Sequence, residues 1–144
     1  NDYLIIEDFF PTSLDMAQVT SRETKQTIDG VSFMPILSGK KNAHKNRSLY
    51  WHFPNLWGET GPGIGTTSAI RKGDWKMIYY YDTGVKELFN IREDIGEKHN
   101  LATRHGDVME ALSLELGNYL RGVSAQRPSF KASGKLCPWP DELK

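Results

Sequence analysis

The chain has 144 residues, and its 18 Lys and Arg residues balance 18 Asp and Glu residues, so the formal net charge is zero. Zero net charge gives no overall attraction to nucleic acid or to an anionic membrane, and any such partner would have to be recognised locally. No apolar run approaches the ~20 residues that a membrane span needs, and the length suits one ordinary domain. The single cysteine, Cys137, excludes an internal disulfide.

The N-terminal segment is rich in large apolar residues. Their spacing predicts a helix near residues 8–18, with Asp8 as the residue that caps its start. Phe9, Phe10 and Leu14 give this helix a large apolar surface for its position at the end of the chain. Such a surface favours docking onto another element or another protein.

Polar loops follow this helix. Residues 20–30 are polar and end in a turn signal, and residues 32–37 are expected to form one helical turn with Ser32 at its N-cap. Residues 38–47, with the sequence SGKKNAHKNR, are expected to be a solvated basic loop.

The middle of the chain has the composition of a β-sheet. Gly73 and Asp74 are the two residues of a tight hairpin, and a long loop at 54–65 joins the first predicted strand to the second. Short turns between the later strands predict an antiparallel meander of about four strands. The predicted strands are 48–53, 66–72, 75–81 and 85–91.

A second helix is predicted at 107–121, where apolar residues recur at three- and four-residue steps before Gly122. This helix should cover one face of the sheet. The tail at 123–144 is rich in Pro, Ser and Gly and is expected to be irregular, pinned by Phe130 and Trp139. The predicted fold class is therefore α+β.

The order of the motifs resembles the C-terminal subdomain of type I sulfatases, the formylglycine-dependent arylsulfatase family of the alkaline phosphatase superfamily. The resemblance covers most of residues 1–144 and is carried by four stretches. These are DFFPTSLDMA at 8–17, DGVSFMPILSGK at 29–40, RSLYWHFP at 47–54, and AIRKGDWKMIYYYDTGVKELFNIREDIGEKHNLA at 69–102.

The resemblance implies a parent enzyme that uses a formylglycine, formed in a C-x-P-x-R or S-x-P-x-R motif, beside a Ca²⁺ ion. This chain has neither that motif nor the paired aspartates of the calcium site, so no catalytic residue, metal ligand or cofactor is assigned to it. Cys137 lies in LCPWP, where no Arg stands two residues beyond it. The chain is thus expected to be the C-terminal part of a larger enzyme and inactive alone, with an upstream catalytic domain as its partner.

Three residues are candidates for binding a sulfated sugar or aryl sulfate ester in the parent. His52 ends an aromatic strand, Trp57 lies in the glycine-rich loop, and Arg71 precedes the hairpin. Each also has a structural reading: a histidine with a local hydrogen bond, an indole that caps the sheet, and a solvated arginine.

An alternative function is an independent module that binds carbohydrate through Trp51 and Trp57 or mediates protein association. The exposed N-terminal helix also favours a homodimer of the isolated chain. The family resemblance suggests a periplasmic, secreted or lysosomal location, which the chain itself does not specify.

Overall fold

The computed structural model describes residues 2–21, 23–55 and 65–143. Backbone contacts divide the chain into two compact units, Asn1–Arg47 and Ser48–Lys144. Among the described residues, no helix combines the length and the apolar character that a membrane crossing requires.

The first unit contains two short helices. A 3₁₀ turn at Ile6–Asp8 leads into helix α1 (Phe9–Met16), and helix α2 is the single turn Met34–Leu37. Helix α1 ends before the predicted residue 18 because Gln18 has a positive φ of 55° and closes the helix. Glycine usually takes this position, so the sequence did not mark the end of the helix.

Asp8 occupies the N-cap position of α1 that the sequence predicts, but not as a side-chain cap. Its backbone is itself helical, with φ −71° and ψ −22°, and its side chain makes no cap hydrogen bond. The fully buried carboxylate instead accepts hydrogen bonds from the backbone N–H groups of Ile5 and Val31 and from the guanidinium of Arg47. Arg47 therefore belongs to the interior of the first unit and not to a solvated loop, because a buried carboxylate requires a cationic partner.

The predicted cap of α2 lies one residue too early. Phe33 occupies the N-cap position of the helix. The Ser32 hydroxyl nonetheless accepts a hydrogen bond from the N–H of Met34 at 3.2 Å, which satisfies one of the free donors at the start of the helix.

The second unit is built on the antiparallel meander that the sequence predicts, with the strands in the order β1-β2-β3-β4. Gly73 closes the β2–β3 hairpin with a φ of +58°, a conformation that suits glycine. The strands are β1 (Ser48–Phe53), β2 (Thr67–Lys72), β3 (Trp75–Tyr80) and β4 (Lys86–Asn90).

Helix α3 (Gly106–Gly122) covers one face of this sheet, which we call the helix-side face. Its apolar stripe and the sheet residues beneath it form the main core. The buried members include Ile70, Met77, Tyr79, Tyr81, Leu88, Met109, Leu112, Leu116 and Leu120. The α+β fold class is thereby confirmed.

The segment after α3 packs onto the main core. Trp139 and Cys137 are buried, whereas Phe130 is 37% exposed. The Tyr79 hydroxyl donates a hydrogen bond to the carbonyl of Pro138 at 2.9 Å. Trp139 rather than Phe130 thus supplies the large buried side chain of the tail.

The tail also contacts α3 closely at Gly117. A Cβ atom at that position would lie 1.9 Å from Oδ1 of Asp141, so the helix needs a glycine there. The Arg121 guanidinium holds the same Asp141 carboxylate through two hydrogen bonds. These contacts fix the end of α3 to the last residues of the chain.

Candidate functional site

The predicted substrate-binding residues do not form one cluster. In the β1–β2 register His52 lies opposite Ser68, and Leu49 lies opposite Arg71. Side chains alternate between the two faces along a strand, so His52 and Arg71 lie on opposite faces of the sheet. Trp57, the third candidate, lies outside the described residues.

His52 is held at both ring nitrogens on the helix-side face. Its Nδ1 lies 2.8 Å from the Ser68 hydroxyl, and its Nε2 lies 2.8 Å from the backbone carbonyl of Gln126. The Ser68 hydroxyl in turn lies 2.9 Å from the Tyr81 hydroxyl. The sequence did not predict this network, because its four members are spread from residue 52 to residue 126.

The carbonyl at one end of the network fixes one hydrogen-bond direction. A carbonyl oxygen only accepts, so Nε2 of His52 donates to Gln126. The Ser68 hydroxyl lies between His52 and Tyr81 and hydrogen-bonds to both. His52 thus links β1 to the segment after α3.

Tyr81 is the buried end of this network. Burial raises its pKa to about 12, and the hydrogen bond with Ser68 only partly opposes that effect. The ring of Tyr81 packs against His52 and Trp139, with centroids at 6.1 and 6.3 Å. Its hydroxyl therefore keeps its proton throughout the ordinary pH range.

Arg71 lies on the outer face of the sheet, opposite the helix-side face. Trp51 and Phe53 share this face, since they pair with Ala69 and Thr67 of β2. Trp51 is 43% exposed and Phe53 38% exposed. A guanidinium beside exposed aromatic rings has the chemistry to contact a sulfated sugar, because arginine binds oxyanions and indoles stack on sugar rings.

The outer face also carries a shallow groove of about 330 Å³. Glu87 and Glu97 contribute its carboxylates, but both have partners: Glu87 accepts a hydrogen bond from Tyr80, and Glu97 pairs with Lys76 at 2.6 Å. Of the two carboxylates, only that of Glu97 is neutralised by a cation among the described residues, so the groove keeps the negative charge of Glu87 and does not suit an anionic ligand.

The residues present do not fit the calcium and formylglycine of a sulfatase active site. In the part of the chain that the structure describes, no group of three or more His, Cys, Asp or Glu side chains is placed to hold a metal ion. Cys137 is 3% exposed, and burial raises the pKa of its thiol. No reaction step is therefore assigned to residues of this chain.

The meander, its covering helix and the order of the motifs define the C-terminal subdomain of a sulfatase. Residues 1–126 match the family described as N-sulphoglucosamine sulphohydrolase, C-terminal, and the chain belongs to that family.

Curated relatives agree with this assignment. Over 120 residues the chain is 28% identical to a sulfatase of Formosa agariphila, covering 79% of the chain and 22% of the relative. Over 132 residues it is 30% identical to arylsulfatase K of Xenopus laevis, covering 88% of the chain and 23% of the relative. The chain thus spans about a fifth of the length of these relatives.

Solved structures share the fold. One is BT4656 in complex with its substrate D-glucosamine-2-N,6-O-disulfate, with a TM-score of 0.63 and 26% identity over 81% of this chain and 24% of that chain. Another is Ps i-CgsB in complex with k-i-k-neocarrahexaose, with a TM-score of 0.61 and 26% identity over 78% of this chain and 23% of that chain.

Proposed function

We propose that this chain is the C-terminal part of a sulfatase, a sulfuric ester hydrolase, in which it stabilises a catalytic domain and completes the substrate cleft. The observation that carries the proposal is the match of residues 1–126 to a sulfatase C-terminal family, in a chain that spans 22% and 23% of two relatives. In this proposal the rest of the polypeptide supplies the formylglycine and the Ca²⁺ ion.

Exposed apolar side chains in the first unit support a docking role. Phe9 and Phe10 of α1 are 54% and 52% exposed. Apolar surface left in water costs roughly 25 cal/mol per Å². A partner domain that covers α1 would recover this free energy.

Arg71 is proposed to contact the sulfate or sugar of the substrate from the outer face, beside Trp51. A guanidinium forms two parallel hydrogen bonds with an oxyanion, so the contact is directional as well as electrostatic. Trp57 is proposed to stack on a sugar ring from the loop at 54–65.

His52, on the opposite face of the sheet from Arg71, is proposed to contact a different part of the substrate through Nε2, by exchanging its bond to the Gln126 carbonyl. That bond lies at an exposed position, whereas the Ser68 hydroxyl on the other side is buried. Binding through Nε2 would leave the Ser68 bond in place and keep the ring oriented.

Steady-state kinetics of the parent enzyme would test the contribution to the cleft. Arg71→Ala and Trp57→Ala are each expected to lower kcat/KM for the natural substrate at least about tenfold while leaving a small aryl sulfate within about twofold, because the lost contact is to a remote part of the substrate. Lys98→Ala, at an exposed position, is the matched control. Equal losses on both substrates would assign these residues a structural role.

The exposed Trp51 and Phe53 also favour the alternative of an independent carbohydrate-binding module. The sequence encoded upstream of Asn1 separates the two proposals. A C-x-P-x-R or S-x-P-x-R motif some few hundred residues upstream supports the sulfatase, and an open reading frame that begins near Asn1 supports the module.

A further inference from the structure

A cluster of positive charge lies in the first unit at residues 40–45, which we call the basic turn. Lys40, Lys41 and Lys45 are all exposed. In the part of the chain that the structure describes, none of the three side chains forms an ion pair or a hydrogen bond. The Asp2 carboxylate, which accepts a hydrogen bond from the Asn42 side chain at 2.9 Å, offsets part of this charge, and three ammonium groups within six residues leave a net positive potential on a chain of zero net charge.

The backbone at the start of the basic turn is fixed. Gly39, with a φ of +73°, closes helix α2, and the N–H of Lys40 bonds back to the carbonyl of Pro35 at 2.9 Å. Within the turn, the Asn42 side chain accepts a hydrogen bond from the N–H of His44 at 2.8 Å. These bonds hold Lys40 and Lys41 in defined positions relative to α2.

The end of the basic turn is fixed as well. The N–H of Arg47 bonds to the carbonyl of His44 at 3.1 Å, and the guanidinium of Arg47 is held by the buried carboxylate of Asp8. The Tyr3 hydroxyl donates a hydrogen bond to the Arg47 carbonyl. The segment is therefore an ordered scaffold that presents free ammonium groups, and not a flexible basic stretch.

We propose that the basic turn is a binding site for a sulfated polysaccharide, separate from the substrate-contacting residues assigned above. An ammonium group is a compact point charge with three donors and suits a sulfate oxygen. Because the backbone is ordered in advance, a bound polyanion orders only the lysine side chains, which lowers the entropic cost of binding. The site would hold an extended substrate chain while one of its sulfate esters is cleaved elsewhere.

The choice of a sulfated polysaccharide rests on the proposed function, since a sulfatase encounters sulfated sugars at high local density. The same local charge would also attract an anionic membrane at about 1 kcal/mol for each lysine near the surface, so the test below compares the polysaccharide with anionic vesicles.

Binding of a size-defined heparin octasaccharide to the 144-residue chain, measured by isothermal titration at low salt, tests the proposal. The triple variant Lys40→Gln, Lys41→Gln, Lys45→Gln is expected to bind at least about tenfold more weakly. The matched control replaces Lys98, Lys131 and Lys135, which are also exposed, by Gln and is expected to stay within about twofold. The slope of log K against log salt is expected to decrease in magnitude by about 2 in the first triple variant, as for the loss of about three phosphate contacts to a single-stranded polyanion.

Three outcomes would overturn the inference. These are no binding of the octasaccharide by the unmodified chain, equal losses in the two triple variants, and tighter binding of anionic vesicles or single-stranded DNA than of the octasaccharide. Sodium sulfate at the same sulfate concentration should not displace the octasaccharide. Displacement would show that the site binds single sulfate ions and would also contradict a polysaccharide site. Because the titration needs no turnover, its failure is distinct from a failure of the proposed sulfatase function.

Discussion

Arg47 binds the buried carboxylate of Asp8 from 39 positions further along the chain, with Nη1 2.8 Å from Oδ1. Asp8 is fully buried, and the side chain of Arg47 is 17% exposed. The same carboxylate receives N–H groups from Ile5 and Val31, so one side chain joins three separate stretches of the first unit. This ion pair therefore organises the N-terminal unit.

Removing the charge of Asp8 should destabilise the first unit strongly. Asp8→Asn leaves the largely buried guanidinium of Arg47 without its carboxylate, and breaking a buried pair in this way costs about 3 kcal/mol. Asp74→Asn is the matched control, because Asp74 pairs with Arg92 at 3.7 Å with both side chains exposed, and such pairs contribute about 0–1 kcal/mol. Denaturant unfolding followed by circular dichroism would measure both, and similar losses in the two variants would contradict the assigned role.

The same carboxylate predicts acid sensitivity. Burial acts to raise the pKa of Asp8, but the hydrogen bonds from Arg47, Ile5 and Val31 outweigh it and hold the pKa below its usual value. A carboxyl group with a depressed folded-state pKa stabilises the fold fully above its unfolded pKa of about 3.9, and that contribution is lost as the pH falls through the folded value.

Hydrogen exchange at the Val31 amide, which donates to Asp8, would follow this loss directly. Protection of Val31 is expected to be constant from pH 7 to about 5, after correction for the intrinsic exchange rate, and to fall below about pH 4. In Asp8→Asn the protection should be lower at pH 7 and nearly independent of pH. A decline of the same size in both proteins would assign the acid sensitivity to other groups.

The exposed phenylalanines of α1 predict self-association of the isolated chain. Phe9 and Phe10 are each about half exposed, and water penalises their apolar area. We expect a two-fold dimer that covers α1, or one that exchanges this helix between subunits through the polar loop at 20–30. Sedimentation at micromolar concentration should show a dimer that Phe9→Asp plus Phe10→Asp dissociates without unfolding the sheet.

The control for this prediction replaces two exposed apolar residues of the second unit. Ile95 and Leu114 are 81% and 54% exposed, and their replacement by Asp should leave the dimer intact. A species of 16.4 kDa without concentration dependence would rule out the dimer.

The central position of Ser68 in the His52–Ser68–Tyr81 network predicts unequal costs for two small changes. Ser68→Ala removes the hydrogen bonds to both His52 and the buried Tyr81 hydroxyl, at a cost of about 2 kcal/mol. Tyr81→Phe leaves the Ser68–His52 hydrogen bond intact and should cost about 1 kcal/mol or less. Urea unfolding followed by tryptophan fluorescence would compare them, and a larger cost for Tyr81→Phe would contradict the central role of Ser68.

The sequence was sufficient to predict the strands and α3, because the spacing of their apolar residues and the Gly73 turn are local signals. It could not reveal the Asp8–Arg47 pair, since a partner 39 positions away leaves no local pattern. It also could not show that the side chains of His52 and Arg71 lie on opposite faces of the sheet. The loop at 54–65 is too long to set the β1–β2 register, and a slip of one residue changes the face of every side chain.

Hydrolysis of a chromogenic aryl sulfate would show whether this chain serves a sulfatase whose chemistry lies in the rest of the polypeptide. The assay compares the purified 144-residue chain with the protein encoded by the whole gene, each with Ca²⁺ and with a chelator. We expect Ca²⁺-dependent turnover by the whole protein and none by the chain, because the chain supplies neither an aldehyde-forming nucleophile nor a calcium site within its described residues. Turnover by the chain alone, or none by the whole protein, would contradict it.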